Sequence, residues 1–511
     1  MTALRLTCPK LYALLGFAIA SAGCADTINN HYYVEESAGQ GGSGGDGGIP
    51  PLETGYPDAP KPDVEASAHE LAPFEKPGTR FWLAVSEEQL SRMNEGVSGG
   101  GVVIDAALDG DLYSPGGGSA TFVDHLVITA PGENGQTADY GQVQAKIVGQ
   151  STRRPWSERS IPNLNLDADQ FVDQQRIGGF EHLRLNNAQV GSIFREHVTL
   201  ELFRRLGYPA PLSTYAWVQS NVWGKDVAIP YVLVERYKSS FCEREQEGLG
   251  GGCVNMWEFV GDFAQDGGAG PIPLDVPPPG GPVAPPGLPV ASVFDDPNSC
   301  QLERCDNTRV KELEALLRAT PAGDGFESAT EEFVDWPSFH RFQCLSWMFA
   351  TGDDAIHGFN NVVLVERADG KFQYLPYSVD LSLGQTWVAD VPLAGQNALA
   401  SGCQTDPSCW ANTISACEDL IQDLVELDPV SVLDEARAEL EAEGMLRDGD
   451  EPRYEFLRAW LEARLQSLPL ELENNREAPQ GCSGGMVDCG GYCDFPENCG
   501  NQVPVDLHPQ R

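Results

Sequence analysis

Thr351–Gly384 reads TGDDAIHGFNNVVLVERADGKFQYLPYSVDLSLG, and the rest of the chain is arranged around it. Asp353 and Asp354 sit in a Gly-Asp-Asp run that breaks the helix pattern before it and opens a loop. Asn360 and Asn361 close that loop. Val362–Glu366 is apolar and β-branched, which predicts a strand. Asp369-Gly370 is the strongest short hairpin signal in the chain. Phe372–Pro376 returns as a second strand, and Asp380 follows in Tyr-Ser-Val-Asp-Leu-Ser. Two carboxylates and a carboxamide spread over one hairpin suit a hard divalent cation, which takes oxygen ligands and shares its shell with phosphate and water. The same residues also describe a solvated acidic loop before a hairpin.

The chain has 511 residues and a net charge of −42. That length accommodates two or three average domains, or one large domain with inserts. Nucleic acid is excluded as a partner, because phosphate binding on that scale needs a basic footprint.

The N-terminus reads as an export signal. Arg5 and Lys10 supply a basic region, and Leu11–Ala22 is an apolar run too short to span a bilayer. It ends in Ser21-Ala22-Gly23-Cys24, a lipoprotein-type cleavage box without the usual Leu. The expectation is a signal over residues 1–23 and a lipid anchor on Cys24, with secretion after ordinary cleavage as the alternative. Residues 24–76 are Gly- and then Pro-rich and read as a tether. Without Cys8 and Cys24, twelve of the fourteen cysteines remain, an even number that suits an oxidising compartment. Cys242/Cys253 and Cys300/Cys305 suit small disulfide loops. Cys403, Cys409 and Cys417 leave one partner to be found elsewhere, with Cys344 a candidate. Residues 476–511 form a Cys-rich tail.

Between tether and tail, strand patterns cover Phe81–Val85, Thr121–Thr129, Gln142–Val148 and His182–Asn187. Ala216–Gln219 and Ile229–Glu235 predict a hairpin. Ser192–Leu206 is an amphipathic helix, Trp336–Ala350 a mostly apolar one, and Asn307–Ala319, Cys417–Leu427, Val430–Glu443 and Tyr454–Leu468 also read as helices. Phe241–Val293 is Gly- and Pro-dense and reads as a loop insert, with its core at 262–293. Gly149-Gln-Ser-Thr-Arg-Arg-Pro-Trp-Ser-Glu-Arg-Ser160 brings a glycine, hydroxyls and guanidiniums together in an otherwise acidic chain, the composition of a polyphosphate loop.

These blocks resemble, in order, the CotH (spore coat protein H) kinase-like family. The 149–160 element is similar to the family's Arg-Gly-x-Ser-Thr/Ser-Arg…Lys-Lys-Ser segment, with Val148 in place of the Arg and Glu158-Arg159 in place of the Lys pair. Arg195-Glu196 and Gly207-Tyr-Pro-Ala-Pro are similar to its Leu-Arg-(Asp/Glu)…Gly-x-Pro-Ala-Pro segment, and Tyr231 and Glu235 match the hairpin that follows. Asp353/Asp354, Asn360-Asn361 and Pro376-Tyr-Ser-Val-Asp380 match its signature. Tyr377 replaces the usual Trp, and Ser378 replaces a first Asp.

The resemblance implies an α+β, atypical protein-kinase-like fold, with a mixed or antiparallel sheet lobe and a helical lobe over residues 77–475. It implies transfer of the ATP γ-phosphate to Ser or Thr of an envelope or surface protein by a monomer. Asp354 or Asp353 would be the base, with Asn360 beside it. Asp380, Asn361 and Asn360 would hold Mg²⁺ or Mn²⁺. Arg159, Arg153 and Lys146 would face the phosphates, with Glu235 a partner for a basic residue. The alternative is a catalytically inactive binding module of the envelope with the same fold. No Gly-x-Ser-x-Gly elbow, zinc-protease helix or Walker loop points to another class.

Overall fold

The computed structural model describes residues 72–94, 121–132, 135–148, 154–158, 160–188, 192–224, 226–259, 299–321, 323–352, 354–357, 361–384, 391–395, 397–477, 487–488 and 493–494. The expected signal, Cys24, most of the tether, the 262–293 insert and nearly all of the Cys-rich tail lie outside them. So do Asp353, Asn360, Arg153 and Arg159.

The strands are β1 (Thr79–Ala84), β2 (Phe122–Val123), β3 (His125–Thr129), β4 (Thr137–Asp139), β5 (Val143–Val148), β6 (Asn163–Asp167), β7 (His182–Asn186), β8 (Ser213–Ser220) and β9 (Ala228–Glu235). They form one sheet in the order β2-β5-β6-β7-β9-β8-β1-β3-β4. Every pairing is antiparallel except β1 with β8, which is parallel. The fold is thus α+β with a mixed sheet.

Alternation along the strands divides the sheet into two faces. Ile147, Leu164, Leu166, Leu183, Leu185, Val218 and Leu233 point to one side and build a core with Phe81, Leu126 and Ile128. On the other side, Tyr215, Val232 and Val234 belong to a second, larger core that runs through the helices. These are α2 (Ile193–Arg205), α3 (Ser239–Arg244), α4 (Thr308–Ala319), α5 (Phe326–Thr330), α6 (Trp336–Met348), α7 (Ala398–Thr405), α8 (Pro407–Leu427), α9 (Pro429–Ala442) and α10 (Asp450–Asn474), whereas α1 (Glu87–Met93) packs Leu90 and Met93 into the first core. Ser192 caps α2, its Oγ accepting from Phe194 N at 3.3 Å.

A second sheet of β10 (Cys253–Phe259), β11 (Val362–Arg367) and β12 (Phe372–Leu375) carries the decisive hairpin. Its turn falls at Asp369-Gly370, with Gly370 at φ 80°, as the Asp-Gly signal requires. The expectation of a structureless insert over Phe241–Val293 is corrected here. Its first part contains α3 and β10, and the Cys242–Cys253 disulfide joins them. The other disulfides are Cys300–Cys305, Cys344–Cys417 and Cys403–Cys409. Cys344 is therefore the partner that the three clustered cysteines lacked. A final two-residue pairing joins β13 (Val487–Asp488) to β14 (Cys493–Asp494). Among the described residues, no helix is long and apolar enough to cross a membrane.

Candidate functional site

The register of β5, β6 and β7 lines up one polar row. Lys146 faces Asn165, and Asn165 faces Arg184. All three lie on the face opposite the Leu164–Leu183 core. Gln144, Asp167 and His182 form a parallel row one step towards the end of β9. The helix that follows β7 is α2, and it brings Glu196 under this face. Asn186 Nδ2 donates to Glu196 Oε2 at 2.6 Å.

The hairpin delivers Asp380 to the same place. Two buried tyrosines of the sheet side hold it there. Tyr208 OH donates to the Tyr374 carbonyl at 2.6 Å, and Tyr237 OH donates to the Pro376 carbonyl. Asp380 lies on a single 3₁₀ turn, Val379–Leu381, entered through Ser378 at φ 52°. Ser382 Oγ then bonds Thr199 Oγ1 of α2 at 2.6 Å. Helix and hairpin are therefore fixed to each other next to the carboxylate.

Electrostatics mark this cleft as unusual. Burial costs the Arg184 guanidinium, yet Tyr377, Glu196, Asp380 and Glu258 together raise its pKa. Among the described residues its Nε is sealed from solvent and donates no hydrogen bond, and the guanidinium makes no ion pair within 4.0 Å. It lies over the Tyr377 ring at 5.8 Å. Burial pushes Glu196 up to about 7, against the pull of Arg184 and with the repulsion of Asp380. Burial also raises Asp380, opposed by Arg184 and by Ser378, whose Oγ donates to Oδ1 at 3.1 Å. An orphaned buried N–H beside carboxylates of raised pKa fits an absent polyanion with its cation: the Nε lacks an acceptor among the described residues, and burial outweighs the pull of Arg184 on both carboxylates.

Topology gives the cleft a meaning. In protein kinases a loop between two strands covers the phosphates, and a third strand carries a cation paired with a glutamate on the following helix. The catalytic Asp and a metal-binding Asn then precede a hairpin, and a metal-binding Asp follows it. Here the 149–153 segment joins β5 to β6, Arg184 is on β7 and Glu196 on α2. Asp353 and Asp354 precede β11, and Asp380 follows β12. The CotH kinase protein model matches residues 146–427, more than half of the chain.

The chain belongs to the CotH kinase family. Among solved structures it is similar to the Shewanella oneidensis MR-1 toxin–antitoxin HipA, HipB and operator DNA complex, at 11% identity and a TM-score of 0.30, covering 76% of this chain and 84% of that one. No curated protein matches it.

The residues expected to serve the CotH site have different local settings. Lys146 lies in the polar row. Asn361 is buried at φ 48°. Asp354 has its oxygens filled: Oδ1 accepts from Ile356 N at 2.9 Å and His357 N at 2.8 Å, and Oδ2 accepts from Thr351 Oγ1 at 2.8 Å. Burial would raise its pKa, but His357 and these bonds hold it below the usual carboxylate range. His357 Nε2 donates to the Pro392 carbonyl at 2.9 Å. Asp354 thus folds the loop that carries Asp353. Glu235 also has a partner: Arg244 Nη2 lies 2.5 Å from its Oε2, which also accepts from Leu212 N at 2.9 Å. Glu235 therefore ties β9 to α3.

Sequence reading did not single out Arg184, the buried cation of this cleft, nor Glu258, a buried β10 carboxylate 2.7 Å from Arg236. The signal for Arg184 was a lone arginine in the alternating strand HLRLN. A further cluster, Asp167, Asp169 and His182, has ligand atoms within 4.8 Å of one another and could hold a metal. The Lys238 charge already acts on both carboxylates.

Proposed function

We propose that this chain is an exported protein kinase that transfers the γ-phosphate of ATP to Ser or Thr of an envelope or surface protein, tethered through a lipid on Cys24. The observation that carries this reading is the convergence of Arg184, Glu196 and Asp380 in one cleft, contributed by strand, helix and post-hairpin segment in kinase order. Arg184 grips phosphate, with Lys146, Arg153 and Arg159 as further cations along the β5–β6 side. Asn186 and Arg184 orient Glu196, which keeps the guanidinium in place. Asp353 takes the proton from the acceptor hydroxyl, while Asp354 holds the loop. Asp380, with Asn360 and Asn361, holds Mg²⁺ or Mn²⁺, which when bound neutralises phosphate charge.

One observation favours a second reading. Tyr377 donates to Glu258 directly beneath Arg184, and the cavity left there is only about 20 Å³. A non-catalytic envelope module would keep that cleft shut. The deciding experiment is transfer of label from γ-labelled ATP, with Mg²⁺ or Mn²⁺, to the protein itself and to a generic acceptor, against Asp380→Ala. Label lost in the variant establishes the kinase. A folded protein that neither transfers label nor binds ATP is the binding module.

A further inference from the structure

Helix α2 has a second polar face, away from the cleft. A cavity of about 160 Å³ opens there between α2, α9, the start of β8 and the Phe74–Pro77 segment. His197 lines it with its side chain only 8% exposed. A ring N–H of His197 donates to the Ser213 backbone, and Nδ1 lies 3.0 Å from Ser213 Oγ. The Nδ1–H tautomer is the one in which the ring N–H meets Ser213. Burial pushes the imidazole down to about 4, so the ring is neutral and Nε2 carries a lone pair.

Among the described residues that lone pair has no hydrogen-bond partner. Glu439 Oε2, a second acceptor, lies 3.9 Å away. Glu439 is pushed up by burial and by the repulsion of Glu201 and Glu435. The neighbouring cation is already committed: Arg205 binds Glu435 at 2.6 Å and Glu201 at 3.3 Å. Lys76 lines the cavity without an ion pair among the described residues. Two acceptors facing each other without a donor between them leave room for one at the cavity wall.

We propose that this cavity binds an organic cation through a primary ammonium or guanidinium group, which donates at once to His197 Nε2 and to Glu439, with Glu435 on the rim. A group with several N–H bonds satisfies both acceptors and supplies the missing positive charge. A zinc ion needs at least three protein ligands, and among the described residues His197 and these carboxylates do not form a group of three within metal-binding distance. The source is either a free amine or a basic side chain of a polypeptide. The site is independent of phosphoryl transfer, although Glu196 is the next residue on the same helix.

The test uses the full mature chain. Agmatine and butylammonium represent the free amines, and an end-blocked Gly-Arg-Gly peptide represents the polypeptide side chain. Calorimetry gives the affinity, and a ¹H–¹⁵N histidine spectrum reports on Nε2. The proposal expects saturable binding that shifts the His197 Nε2 resonance and weakens at least tenfold in Glu439→Gln. Lys76→Ala removes the internal competitor and tightens binding. The peptide binding better than the free amines assigns the site to a protein partner, and the reverse assigns it to a metabolite. No saturable binding, or binding unchanged in Glu439→Gln and in Glu435→Gln, overturns the proposal. A shift of Nε2 by Zn²⁺ or Mn²⁺ alone, with none by the organic cations, overturns it in favour of a metal.

Discussion

The Asn186 carboxamide donates to the Glu196 carboxylate at 2.6 Å, joining the last residue of β7 to the first turn of α2. The bond fixes the carboxylate on the side of the helix that faces Arg184. Glu196 titrates near 7 because burial and Asp380 oppose its charge. Its folded pKa lies above the ordinary value of 4.5, so its ionisation costs stability as pH rises from about 4.5 to about 7. Phosphoryl transfer needs the ionised form to balance Arg184. Activity should therefore rise through a limb near pH 7. Glu196→Gln should remove that limb and flatten the loss of stability across the same window, read by pH–rate profiles and by melting curves at several pH values.

Arg184 should carry a transition-state interaction, since its Nε has no partner among the described residues. Arg184→Met should lower kcat/KM about a hundredfold or more. Arg184→Lys should recover part of it, because the point charge survives but the forked donor set does not. An unchanged rate in Arg184→Met would remove this residue from the phosphate site.

Asp353 and Asp354 should separate cleanly. Asp354→Asn breaks several bonds inside a buried loop and should cost about 1–3 kcal/mol of stability. Its contribution is present above the ordinary carboxylate pKa and is lost as pH falls through the depressed folded value. Asp353→Asn should abolish transfer with the melting temperature unchanged. Thermal denaturation and label transfer on the two variants distinguish the roles, and the opposite pattern would make Asp354 the base.

Glu235 should behave as a structural residue. Its side chain is fully buried against Arg244. Glu235→Gln leaves the guanidinium with Glu245 alone as its charge partner and should destabilise the fold by about 1–3 kcal/mol. Nucleotide affinity of the folded protein should stay within twofold of the parent. A large loss of affinity without a change in denaturation midpoint would place Glu235 in the nucleotide site instead.

The Cys344–Cys417 disulfide closes a segment of 73 residues between α6 and α8. In the chain-entropy account, a loop of that size is worth about 4 kcal/mol. Replacing both cysteines with alanine should lower the denaturation midpoint by more than the same change at Cys300 and Cys305, which are only five residues apart.

The hairpin of Thr351–Gly384, α2, and the β8–β9 pair were readable because periodicity and turn chemistry agree there. Strand β6 was not: in NLNLD every second residue is Asn or Asp, types depleted in strands, because Asn163, Asn165 and Asp167 share the polar face of the sheet. Strand β10 was hidden by the Gly- and Pro-dense chain around it, and Glu258 with it. Glu235 was legible as a buried-strand carboxylate awaiting a cation. Its choice of Arg244 depends on where α3 folds back, which local pattern does not encode. The cation that reaches the cleft, Arg184, stood in plain view in HLRLN, but its role depends on Asp380, nearly two hundred residues away.

The apolar residues Tyr215, Val232 and Val234 of the sheet share one continuous core with Phe342, Leu345 and Trp410 of the helices. Among the described residues of that core, no polar seam divides sheet from helices. Hinge-bending kinases open by sliding one lobe across such a seam, and this molecule has a shared interior in its place. Opening by rotation would expose Val232 and Val234, at a cost of about 1.5–3 kcal/mol for each fully exposed side chain. Entry and exit at the cleft must then rely on movements of the rim, and exchange of the β9 and α6 amides should fall into a single cooperative unit that melts together.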